Sequence, residues 1–110
     1  MTGTGTATEA AIDDAFLSVW RQALMEQKKI VVLGNSTFSV RRTAKHRLAQ
    51  IDFEVDGVEF RGLEQNPHTK SRWAKMAREG AKVMQFLYAG RYVGAVADGV
   101  LKHYSSAEKA

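Results

Sequence analysis

The chain has no cysteine and a single proline among its 110 residues. The first absence excludes a disulfide framework, a thiol nucleophile and a thiolate zinc site. No apolar run approaches the roughly 20 residues that a membrane-spanning helix needs. The opening MTGTGTATEA has neither the basic nor the apolar region of a secretory leader, so the expected location is cytoplasmic. With 45% hydrophobic and 25% charged residues, the composition also excludes intrinsic disorder and collagen-like structure. What is present suits one domain, because two would each fall below the size that usually folds unaided. The expected organisation is a flexible lead at 1–7, a single α+β domain over 8–104 and a frayed tail at 105–110.

Hydrophobic spacing predicts the elements. Ile12, Phe16, Val19, Trp20, Ala23 and Leu24 recur at helical intervals, which makes an amphipathic helix of about five turns. Thr6 with Glu9 in a capping box, or Thr8 alone, supplies its N-cap. Residues 29–33 and 37–42 read as two strands around the turn Gly34-Asn35-Ser36. Asp56-Gly57 suits a two-residue type I′ loop. That loop sets Val55 opposite Val58, Phe53 opposite Phe60, Ile51 opposite Gly62, Asp52 opposite Arg61 and Glu54 opposite Glu59. Asn66 as cap and Pro67 at the first helical position open a second helix that closes at Gly80.

Residues 83–88, 92–97 and 100–104 complete three more strands, joined at Ala89-Gly90 and Asp98-Gly99. A regular hairpin places Met84, Phe86, Val93 and Ala95 on one face and Val83, Leu87, Tyr92 and Val96 on the other, so both faces are covered. The expected fold is α+β in the order α-β-β-β-β-α-β-β-β. It is a mainly antiparallel sheet or small open barrel of about seven strands with two packed helices.

Sixteen Lys and Arg against twelve Asp and Glu give a net charge of +4 and a pI near 9.6. The excess is modest but unevenly spread: residues 28–50 hold six bases and no acid, and residues 67–91 hold six bases and one acid. Arg41-Arg42-Thr43-Ala44-Lys45-His46-Arg47 reads as the exposed connection between the second and third strands. Such a rim attracts phosphates through counterion release. Arg72, Lys75 and Arg78 extend it on the outer face of the second helix. Tyr88, Arg91, Tyr92 and Tyr104 form a second candidate surface, suited to stacking on bases or anchoring a protein. Strand tyrosines equally pack their rings and leave the hydroxyl wet.

Little else points to chemistry. The serines show no nucleophile elbow, the glycines make no phosphate or dinucleotide fingerprint, and Asp13-Asp14 reads as compensation of a helix dipole. His46, His68 and His103 lack metal-ligand spacing, so neither metal nor cofactor is expected. Two histidines and a lysine do compose a base, an acid and a charge stabiliser for phosphodiester cleavage. His46 and His68 lie in or beside the basic blocks.

The expected function is a small non-catalytic binding module for an anionic partner, DNA or RNA. Its contacts are Arg41, Arg42, Lys45, Arg47, Arg72, Lys75 and Arg78, which hold phosphates without reading bases. The alternative is a protein-interaction or homo-oligomeric module joined through sheet edges or the tyrosine surface. A third reading is a small ribonuclease using His46 and His68. The choice turns on whether the two basic blocks meet in space.

Overall fold

Helix α1 spans Glu9–Trp20, with Thr8 as its N-cap: the Thr8 Oγ1 accepts from the Ala11 amide at 3.1 Å. The structure, a computed structural model, describes residues 8–104, so Thr6, the lead and the tail lie outside the described residues. The helix runs on through a π-helical turn at Arg21–Met25. Along both, Phe16, Val19, Trp20, Ala23 and Leu24 are buried as the apolar spacing predicts, and Ile12 is half-buried.

The π turn also buries Gln22, which reaches β1 (Ile30–Leu33). Its Nε2 donates to the Val32 carbonyl and its Oε1 accepts from the Val32 amide, both at 2.9 Å. One side chain thus occupies the place of a further strand on part of that edge.

The remaining strands are β2 (Ser36–Arg42), β3 (Ala49–Val55), β4 (Val58–Glu64), β5 (Val83–Tyr88), β6 (Arg91–Ala97) and β7 (Val100–His103). All seven pair antiparallel in chain order, making an open sheet with β1 and β7 at its edges. The α+β class and the element order match the sequence expectation. So does every expected pair of the β3–β4 hairpin. Asp56 and Gly57 both take positive φ, 49° and 86°, and a slip by one residue would turn the apolar set outward.

Two local expectations are corrected. The β5–β6 register shifts between Phe86 and Leu87: Leu87 faces Tyr92, but Phe86 faces Gly94 and Met84 faces Val96. One extra residue breaks the period of two. Val96 therefore joins Met84 and Phe86, while Ala95 joins Val83, the reverse of the regular hairpin. The second correction concerns the second helix. Helix α2 is Arg72–Arg78, capped by Ser71, whose Oγ accepts from the Ala74 amide at 3.1 Å. Asn66 instead closes a local turn, its Oδ1 accepting from the His68 amide at 2.8 Å. Gly80, at φ 104°, follows the helix end as expected.

Helix α1 crosses one face of the sheet and touches β1, β3, β5, β6 and β7. Phe16 is the hub: it meets Phe53 and Phe60 edge-on, with centroids 6.1 and 5.1 Å away, and stacks on Phe86 at 4.1 Å. Gly62 makes room beneath them. A Cβ there would stand 3.0 Å from the Met84 sulfur and 3.2 Å from both Ile51 and Phe86. On the other face, Trp73 of α2 packs with Val83, Ala95 and Ala97. Among the described residues, no helix is long and apolar enough to cross a membrane.

Candidate functional site

Strand β2 continues through Arg42, so Arg41 and Arg42 are strand residues on opposite faces and only residues 43–48 form the loop. Arg41 is exposed, its Nη2 3.4 Å from Asp52 Oδ2. Asp52 also accepts from Arg61 Nε at 2.6 Å. That bond, helped by the charges of Arg61 and Arg41, holds the Asp52 carboxyl below the usual carboxylate range. Arg42 is turned inward. It donates to the Ala23 carbonyl at 3.0 Å, in the middle of the π turn, and lies 3.9 Å from Glu64 Oε1. Arg78 donates to the carbonyls of Pro67 and Thr69 at 2.6 and 3.0 Å.

Other bases remain outward. Lys45, Arg47 and Lys75 are exposed and make no ion pair among the described residues. Lys70, ahead of α2, is exposed in the same way. The exposed Arg72 guanidinium lies 5.1 Å from the Trp73 ring centroid.

The first basic block reaches the second through two histidines. His46 in the β2–β3 loop and His68 ahead of α2 have ring centroids 5.1 Å apart. They share a cleft of about 260 Å³ with Leu48, Glu64, Pro67 and Lys82.

Both loops are braced from within. Below residues 66–70 runs a buried polar chain. The Tyr104 hydroxyl donates to Gln85 Oε1 at 2.7 Å, Gln85 Nε2 donates to Gln65 Oε1, and Gln65 Nε2 donates to the Asn66 carbonyl at 2.8 Å and Thr69 Oγ1 at 3.1 Å. Gln65 and Gln85 are only 7% and 6% exposed, so this network is shielded from water and its geometry is tightly held. The β2–β3 loop closes on Thr43, whose Oγ1 accepts from the Leu48 amide at 3.0 Å and whose carbonyl accepts from the Arg47 amide at 2.9 Å. Arg47 there takes a φ of 58°. That left-handed conformation costs a side-chain-bearing residue about 1–3 kcal/mol.

The tyrosine surface divides. Tyr88 lies on the α1 side of the sheet, 5.7 Å from Phe60 between ring centroids. Tyr92 stands opposite Leu87 on the other side, where it meets Tyr104 at 6.2 Å. Tyr104 in turn packs 6.1 Å from Trp73. Arg91 pairs with Tyr88 across the hairpin. The alternation of strand residues separates the group, a signal already present in the sequence.

His103 had no assigned partner in the sequence reading. Its Nε2 stands 3.0 Å from Asp13 Oδ1, tying β7 to α1. Only the crossing of that helix over the sheet edge reveals the pair. Among the described residues, no three His, Cys, Asp or Glu side chains are grouped to hold a metal ion. No family model, curated protein or solved structure matches this chain.

Proposed function

We propose that the protein binds nucleic acid along the rim where the β2–β3 loop meets the segment leading into α2. The observation that carries this reading is the contact of His46 with His68, which joins a loop of the first basic block to the start of the second. Lys45 and Arg47 on one side, with Lys70, Arg72 and Lys75 on the other, are exposed and supply the phosphate contacts. In this reading Arg41, Arg42 and Arg78 shape the rim through their internal bonds rather than touching the ligand.

Such contacts are electrostatic and indifferent to sequence. Affinity then falls as salt rises, each neutralised phosphate adding about 0.9 to the logarithmic slope on duplex and about 0.7 on single strands. Pairing of a partner strand along β1 is disfavoured, because Gln22 already occupies the amide and carbonyl of Val32. The test is a fluorescence-anisotropy titration of a short labelled oligonucleotide at several salt concentrations. Binding that steepens toward low salt supports the reading; no binding at the lowest salt refutes it.

A further inference from the structure

We infer that the His46–His68 cleft cleaves RNA, with the two imidazoles acting as base and acid on one phosphodiester. The inference rests on the binding reading and replaces its non-catalytic form. It begins from a juxtaposition: two histidines from separate segments of the chain are brought ring to ring, 5.1 Å between centroids, in the lining of one cleft. Both are exposed, so a phosphate of a strand lying on the rim can reach them.

The surroundings suit the task. An acid–base pair needs positions held to a fraction of an ångström, and mobile surface loops do not give that. Here one loop rests on the buried Gln65–Gln85–Tyr104 chain and is gripped by Arg78, while the other closes on Thr43 with Arg47 in a left-handed conformation. Buried amides of this kind add little to core packing; their effect is to set the shape of the loop they support. The charged groups near the pair are mostly positive: Lys45 and Arg47 beside His46 in its loop, Lys70 beside His68, and Lys82 in the cleft wall. Cations stabilise the negative charge that gathers on a phosphoryl group during displacement. The one carboxylate in the wall, Glu64, is occupied by the Ala49 amide at 2.9 Å and by Arg42.

The step balances without a metal or any other reactant. The unprotonated imidazole takes the proton of a ribose 2′-hydroxyl. The 2′-oxygen bonds to phosphorus as the bond from phosphorus to the 5′-oxygen breaks. The protonated imidazole gives its proton to that leaving oxygen. The products are a 2′,3′-cyclic phosphate and a 5′-hydroxyl, and the two histidines have exchanged protonation states. Each imidazole nitrogen needs to come within about 2.6–3.2 Å of its oxygen. The chemistry demands a 2′-hydroxyl, so the substrate class is RNA and DNA is bound without being cut.

The experiment uses the full chain, with chelator present to silence metal-dependent nucleases. A labelled RNA oligonucleotide is followed for cleavage, and its 2′-O-methyl counterpart, which cannot be cut by this route, is followed for binding. The expected result is cleavage to cyclic-phosphate ends with a bell-shaped pH profile. His46→Ala and His68→Ala, purified identically, should each lose about 100-fold or more of the rate. Both should bind the methylated strand within about threefold of the parent, with unchanged melting to show that they fold. Intact RNA despite binding overturns the catalytic inference and leaves the binding reading standing. Cleavage that survives both substitutions also overturns it. Failure to bind the methylated strand defeats both.

Discussion

Replacing Arg42 by alanine, beside a double replacement of Lys45 and Arg47, separates two roles a basic residue can have at this end of the sheet. Arg42 makes a charge-assisted bond to the Ala23 carbonyl at 3.0 Å and stands by Glu64, with its own side chain only 28% exposed. A hydrogen bond to a charged group contributes about 1.5–3 kcal/mol, so Arg42→Ala should cost about 2 kcal/mol. With an unfolding entropy of about 2.1 cal/mol/K per residue, that lowers Tm by about 9 °C for a chain of this length. Measured well below its own melting point, the variant should bind RNA as the parent does. Lys45→Ala with Arg47→Ala should do the opposite. Both side chains are exposed and without ion pairs among the described residues, so stability should stay within about 0.5 kcal/mol. The salt slope on single-stranded RNA should fall by about 1.4, the share of two phosphate contacts. Circular dichroism melts and anisotropy titrations read the two effects. An Arg42→Ala protein that melts with the parent but loses binding would refute the assignment, as would an unchanged slope in the double variant.

Three further outcomes follow from the packing and the charges. Gln85→Leu removes the amide that donates to the buried Gln65 Oε1 and the oxygen that accepts from the Tyr104 hydroxyl, and the loss of these two bonds should cost about 1–3 kcal/mol in chemical denaturation. Gly62→Ala forces a methyl against Met84, Ile51 and Phe86, and should cost about 1–3 kcal/mol by the same assay. The Asp52 carboxyl is held below its unfolded value chiefly by the bond from Arg61. Its contribution to stability is therefore complete above about pH 4 and lost as acid carries the folded protein through the lowered value. The denaturation midpoints of the parent and of Arg61→Met should thus converge on acidification. A gap that stayed constant down to about pH 2 would contradict that linkage.

Much of the fold was legible because its signals are local. The Asp56-Gly57 loop and the alternation of apolar residues around it admit one register, and the structure has that register in every expected pair. The apolar stripe of α1 likewise needed only helical periodicity. Where local signals were ambiguous, the reading failed. Asn66-Pro67 has the chemistry of a helix cap and equally that of a turn, and the turn was realised because the buried Gln65–Gln85 chain holds residues 66–70 out of the helix. The β5–β6 bulge has no local mark beyond Gly94, where a Cβ would stand a tight 3.0 Å from the Lys102 carbonyl oxygen.

The sequence by itself determined the α+β order, the register of the β3–β4 hairpin and the presence of two basic blocks, because each depends on residues close together in the chain. Tertiary structure alone decided which of those bases face the solvent. Arg42 and Arg47 are equal as sequence, yet one is bonded to the Ala23 carbonyl within the π turn and the other is left exposed in the β2–β3 loop. It also decided that His46 and His68 touch, since a contact between segments of the chain this far apart depends on how the sheet and the two loops fold back on each other.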